Sequence, residues 1–143
     1  MIAIGSDHAG YELKQAVMEH LKERGEEFED FGCYSPESVH YPVYGKKVAE
    51  AVASGKYDKG ILICGTGIGI SIAANKVKGI RAALCGDCFS AEATRLHNDA
   101  NILALGARAI GTGLAEKIVD TFLDTEFSGD ERHMERIRMI EED

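Results

Sequence analysis

The stretch Lys59-Gly60-Ile61-Leu62-Ile63-Cys64-Gly65-Thr66-Gly67-Ile68-Gly69 decides how the chain is read. Lys59–Cys64 contains Gly-Ile-Leu-Ile-Cys, the clearest continuous apolar run in the sequence. A run of that length, bounded by glycine, reads as a strand buried on both faces. Gly65–Gly69 is then a glycine-rich turn, and Ile70–Asn75 is compatible with a helix. Three glycines at alternating positions leave backbone N–H groups bare at a helix start. Such a turn cradles an anion, either a phosphate or a developing oxyanion. It is not a dinucleotide fingerprint, because the third glycine of that pattern would fall on Ile70. It is not a P-loop either, because the closing Gly-Lys-Ser/Thr is missing. A tight strand–helix turn is the plain alternative, but one turn rarely needs three glycines.

The same alternation extends in both directions. Met1–Ser6 is a short apolar run suited to a strand. Leu13, Val17 and Leu21 recur four apart, with Gly25 as a stop. Glu27–Phe31 reads as a short edge strand and Gly32 to Pro42 as a loop. A helix is expected from Val43 to near Gly55. Beyond the turn, Ile80–Cys85 and Asn101–Leu105 read as strands, with helices over Ala91–His97, Ala115–Asp124 and Arg132–Ile140. Continuous apolar strands alternating with amphipathic helices predict a five-stranded parallel sheet covered on both faces, an α/β fold. No internal repeat or second domain is visible, so residues 1–143 read as one domain. The helix beyond Gly129 is charged and detachable, and it is expected to reach a partner subunit.

Composition narrows the function. The 143 residues carry 16 Lys+Arg against 24 Asp+Glu, a net charge of −8. A general nucleic-acid surface is excluded, because it needs a basic field to release counterions. No apolar run approaches a membrane span, and the N-terminus lacks the marks of a signal peptide, so a cytoplasmic protein is expected. The four cysteines, Cys33, Cys64, Cys85 and Cys88, are then expected as free thiols.

Ligands of parallel sheets bind where the strands end at their carboxyl edge. Cys64 stands there at the head of the glycine cradle, a candidate base or nucleophile. Its plain alternative is a buried small hydrophobe, and Thr66 with the glycine run tips the balance toward chemistry. Asp7-His8 follows the first strand. His8 suits phosphate binding or proton transfer, while Asp7 could equally cap the first helix. His97-Asn98-Asp99 offers an acid or base and a hydroxyl contact, or simply a polar helix end. Arg132 and Arg136 lie four apart on one helix face and suit a phosphate clamp, or surface pairing with Glu131 or Glu135. Arg108 follows the last strand. Cys85-Gly86-Asp87-Cys88 is a Cys-x-x-Cys with no second pair, which disfavours zinc and leaves redox as a minor reading.

Four blocks carry a resemblance to a known family. They are Gly5-Ser6-Asp7-His8-Ala9-Gly10, the run from Cys64 to Lys76, Gly79-Ile80-Arg81-Ala82, and His97-Asn98-Asp99-Ala100-Asn101. Together they resemble the type B ribose-5-phosphate isomerases, a family that also holds allose-6-phosphate and galactose-6-phosphate isomerases. The resemblance runs nearly end to end. It implies a three-layer, Rossmann-like αβα sandwich and a homodimer or homotetramer with a shared active site. It implies conversion of an aldose phosphate to a ketose phosphate with no cofactor and no metal. Ribose 5-phosphate and ribulose 5-phosphate are the favoured pair. Cys64 would be the base, and Thr66 with the backbone of Gly65, Gly67, Ile68 and Gly69 would hold the enediolate oxygens. His97 would open the sugar ring, with Asn98 contacting the opened sugar. Asp7 would bind hydroxyls, and His8, Arg108, Arg132 and Arg136 would bind the substrate and its phosphate. One branch of the family has Glu where this chain has Ile70 and lacks the cysteine, so here Cys64 is the sole base. The chain departs from the family at His40, where Asp is usual. It departs again at Gly129-Asp130-Glu131-Arg132-His133, one residue longer and more acidic than usual. A sugar-phosphate-binding module without catalysis is the alternative, although binding alone needs no base.

Overall fold

A computed structural model describes residues 1–142. The chain alternates strictly at first: β1 (Ile2–Ser6), α1 (Tyr11–Glu23), β2 (Phe28–Asp30), α2 (Tyr41–Ala53), β3 (Lys59–Cys64), α3 (Ile68–Ala74), β4 (Ala82–Leu84), α4 (Cys88–Asn98), β5 (Ile102–Gly106) and α5 (Thr112–Asp124). A last helix, α6 (Glu131–Glu141), follows without a further strand. The five strands form one sheet in the order β2-β1-β3-β5-β4, and every pairing is parallel. The expected αβα sandwich is therefore the observed fold.

The layers follow from the two-residue period of the strands. Ile61 and Ile63 of β3 point to one face, where they meet Leu13, Val17 and Leu21 of α1 and Ile118, Val119 and Phe122 of α5. Leu62 and Cys64 point to the other, against Val48, Ala49 and Val52 of α2 and Ile70 and Ala74 of α3. Because both faces are covered, β1 and β5 are buried along their whole length, like β3 after Lys59. Truncating one of these central residues, such as Ile61 to Ala, costs about 2–5 kcal/mol in lost transfer energy and cavity.

Several boundaries differ from the sequence expectation. α2 begins at Tyr41, not Val43, with Pro42 in its first turn. Proline is tolerated there because the N–H it lacks has no partner within the helix. α4 begins at Cys88, not Ala91, because the Asp87 side chain accepts from Ser90 N–H and caps it. β4 spans only Ala82–Leu84. Its expected start is diverted: the Arg81 N–H donates to the Asn101 side chain at 2.9 Å. On α5 the buried stripe runs through Ala115, Ile118 and Phe122, while Leu114 is exposed.

α6 belongs to neither core cluster. Its apolar residues Met134, Met139 and Ile140 are exposed, and its one buried residue is His133. The helical spacing of Met134, Ile137 and Ile140 thus marks an outer face and not a core seam. Among the described residues no helix is long and apolar enough to cross a membrane.

Candidate active site

β1 and β3 lie side by side at the centre of the sheet, and the chain leaves β1 toward one edge and β3 toward the other. Their carboxyl ends therefore open a crevice at a topological switch point, where ligands of such sheets bind. Asp7 and His8 leave β1 there, and Cys64 to Gly69 leave β3. Arg108 arrives from the end of β5. These residues, with Ala9 and Tyr41, line an open cleft of about 420 Å³.

The turn after β3 is folded by its own polar groups. Gly67 takes φ +80°, a left-handed conformation that side chains avoid. Its N–H donates to Cys64 Sγ at 3.1 Å, which fixes the sulfur at the cleft wall. The Ile68 N–H donates to Thr66 Oγ1 at 3.1 Å. α3 starts at Ile68, so the N–H groups of its first turn have no partner within the helix. Gly69 lies directly beneath Tyr41: a Cβ there would sit 2.7 Å from the ring, which would have to shift to admit it. Tyr41 thereby roofs the cradle. Arg108 is anchored by its N–H donating to the Gly65 carbonyl at 2.9 Å.

The first loop is equally specified. One Asp7 carboxylate oxygen accepts the Gly10 N–H at 3.0 Å, so this Asp does secure the start of α1. His8 Nδ1 accepts the Val39 N–H at 3.1 Å. Nδ1 is therefore unprotonated in this contact, and the neutral ring carries its proton on Nε2. The loop bearing Val39 is held by Lys14, which is fully buried. Its ammonium ion-pairs with Asp30 at 2.6 Å and donates to the Cys33 carbonyl at 2.5 Å. Asp30 in turn accepts the Gly32 N–H at 2.8 Å.

The remaining expected site residues lie elsewhere. None of His97, Asn98, Arg132 and Arg136 lines the Cys64 cleft. His97 ends α4 and stacks on His133 of α6, ring centroids 4.6 Å apart. Burial, the neighbouring His97 and Arg132 together push the His133 imidazole below the ordinary histidine range. Its Nδ1 is 3.0 Å from Ser128 Oγ. Asn98 accepts from the Thr94 hydroxyl and borders a larger cavity of about 610 Å³ between the α3–β4 loop and the ends of α4 and α6. Arg132 is 69% exposed, with Asp130 at 4.0 Å. Glu135, its expected partner, is taken by Arg138. The sequence-predicted residues thus fall into two groups within one chain.

Cys85 and Cys88 are free, as are Cys33 and Cys64. Cys85 is buried, and desolvation with the nearby Asp87 pushes its thiol up to about 11. A thiol held neutral is a poor nucleophile, which weighs against a redox role for this pair.

Residues 2–140 match the family model described as Ribose/Galactose Isomerase. The chain belongs to that family. It is 52% identical over 139 residues to ribose-5-phosphate isomerase B of Escherichia coli, covering 97% of this chain and 93% of that protein. It is 44% identical over 142 residues to a galactose-6-phosphate isomerase subunit of Clostridium acetobutylicum, covering 99% and 82%. Among solved structures, ribose-5-phosphate isomerase B of Clostridium thermocellum superposes with a TM-score of 0.95 at 60% identity, covering 97% and 93%. Sequence reasoning noted Tyr41 only within the departure from the family pattern at His40-Tyr41-Pro42 and gave it no role, and it missed Lys14 as the loop anchor. Lys14 acts through a segment distant in the chain, so no local motif announces it.

Proposed function

We propose that this protein is an aldose–ketose isomerase that interconverts ribose 5-phosphate and ribulose 5-phosphate through an enediolate, with no cofactor. The observation that carries the reading is Cys64 Sγ held by the Gly67 N–H in a cleft bounded by Asp7, His8, Thr66 and Arg108. Enediolate chemistry needs a base, a stabiliser of oxygen charge and a phosphate anchor. Cys64, deprotonated, takes the proton from carbon 2 of the open-chain aldose and returns it at carbon 1. The Thr66 hydroxyl and the cradle N–H groups between Gly65 and Gly69 that are not already engaged at Cys64 Sγ and Thr66 Oγ1 hold the two oxygens as charge passes between them. Asp7 accepts from sugar hydroxyls, and the His8 Nε2–H and Arg108 face the phosphate.

His97 opens the sugar ring and Asn98 contacts the opened chain, while Arg132 and Arg136 clamp the phosphate. In a single chain these four stand apart from the Cys64 cleft. A second copy of the chain brings them to it, so the protein works as a homodimer or larger homo-oligomer with shared sites. The outward-facing α6, with its exposed Met134 and Ile140, suits that contact.

Ribose 5-phosphate is favoured over six-carbon substrates by the Escherichia coli and Clostridium thermocellum relatives. The 44% identity to the galactose-6-phosphate isomerase subunit keeps a hexose phosphate as the second reading. Purified protein treated with EDTA and offered ribose 5-phosphate, allose 6-phosphate and galactose 6-phosphate separately decides the matter. Turnover of the pentose is expected. Turnover of a hexose alone would keep the chemistry and overturn the substrate, and binding without any turnover would leave only a binding module.

A further inference from the structure

Arg81 bridges the two helices that carry the second group of site residues, the end of α4 and the end of α6. Its Nε donates to the Asn98 carbonyl at 2.9 Å. One terminal nitrogen donates to the Asp99 carbonyl at 2.8 Å, and the other to the Glu141 carboxylate at 2.6 Å. The root of the side chain is fixed as well. The Arg81 N–H donates to the Asn101 side chain, and the Arg81 carbonyl accepts the Asn101 N–H at 3.0 Å.

The geometry has a physical logic. Asp99 closes α4 in the left-handed region at φ 45°, so the chain turns sharply just after His97 and Asn98. The last carbonyls of a helix lack partners and carry the negative end of its dipole. A planar guanidinium satisfies two such carbonyls and still reaches a carboxylate. Glu141 is the last residue of α6, and His133 near the other end of that helix stacks on His97. α6 is thus pinned at both ends against the terminus of α4. Arg81 does not line the Cys64 cleft.

We infer that Arg81 is a positioning residue for the isomerisation. It fixes the turn that aims His97 and Asn98, and through Glu141 it fixes the helix that presents Arg132 and Arg136. The inference rests on the roles given above to those four residues. A lysine cannot replace Arg81, because one ammonium cannot span three acceptors set around a planar fork.

A double-mutant cycle on kcat for ribose 5-phosphate, with KM followed separately, tests this. Arg81→Lys is expected to lower kcat by about 10- to 100-fold, and His97→Asn by about 100-fold or more. Combined, their kcat is expected to be no lower than that of His97→Asn alone, because Arg81 acts on turnover through the residue already removed, while KM rises through the separate contact to Glu141. A change that merely loosened the fold would multiply with the other. Multiplying losses, or a silent Arg81→Lys, would overturn the inference. A silent His97→Asn would instead overturn the role of His97 on which it rests. Glu141→Gln changes only the charge of a part-exposed side chain and covers the case in which Arg81→Lys fails to fold. It is expected to raise KM about 3- to 10-fold with kcat unchanged, the signature of a lost binding contact, and an unchanged KM would overturn the inference.

Discussion

At the scale of single residues, the chemistry rests on how few atoms hold the reacting groups. Gly67 illustrates the constraint. A Cβ there would lie 2.4 Å from Leu84 Cδ1 and 2.9 Å from the backbone carbon of Leu105. The leucine tip can move and the backbone cannot. Gly67→Ala is therefore expected to cost about 2 kcal/mol or more, since the left-handed region alone costs about 1–2 kcal/mol. Urea denaturation measures the loss, and kcat falls with it because the N–H on Cys64 Sγ shifts. His8 offers a cleaner separation. In His8→Asn, the side-chain oxygen still accepts the Val39 N–H, but the donor at Nε2 is gone. KM for the sugar phosphate is expected to rise about 10- to 100-fold, the worth of a hydrogen bond to a charged group, with kcat affected less. The Cys64 cradle was legible in the sequence because its parts are contiguous. The Val39 contact to His8 was not, because it joins residues 31 positions apart.

At the scale of elements, reading succeeded where one chain segment carries its own signal. β3 was legible to the residue, since a buried parallel strand is apolar throughout. α6 was legible as a helix and, from its charge, as one that leaves the core, although its apolar spacing taken alone suits a core seam. Two helices carry testable features. His40 is the N-cap of α2, with extended φ/ψ of −92° and 117° and no side-chain cap hydrogen bond. His40→Asp supplies an acceptor for the bare N–H groups of the first turn. It is expected to stabilise the protein by about 1 kcal/mol and to raise Tm by about 3–5 °C. α1 and α5 are joined by Arg24, which reaches Asp120 at 2.9 Å and Asp124 at 2.7 Å. The hydrogen bond from Arg24 holds the Asp124 carboxyl below its usual range. A carboxylate lowered in the folded state adds stability above its unfolded pKa, about 3.9, and loses it as pH falls through the folded value. Arg24→Gln is thus expected to lower stability at neutral pH and to flatten the decline below about pH 4. Thermal melts across pH 3–7 read both effects.

At the scale of the whole molecule, one chain carries every group the proposed mechanism uses but places them in two locations. The cleft at the β1–β3 switch point holds Cys64, its glycine cradle, Asp7, His8 and Arg108. The far ends of α4 and α6 hold His97, Asn98, Arg132 and Arg136. The sheet and its switch point were readable from the alternation of apolar strands and amphipathic helices. A shared site was expected only from the family resemblance and from the charged helix beyond Gly129, because no feature along the chain states which surface meets a second copy. The division also yields the most direct test of the account. Cys64→Ala and His97→Asn are each expected to fold and to be nearly inactive alone. Mixed in equal amounts and allowed to re-associate, they form hybrid dimers in which one site regains both residues. About a quarter of wild-type activity on ribose 5-phosphate is then expected, from random pairing of two-fold dimers. No recovery in a mixture shown to have exchanged subunits would contradict the shared site, and undiminished turnover by Cys64→Ala alone would contradict the mechanism itself.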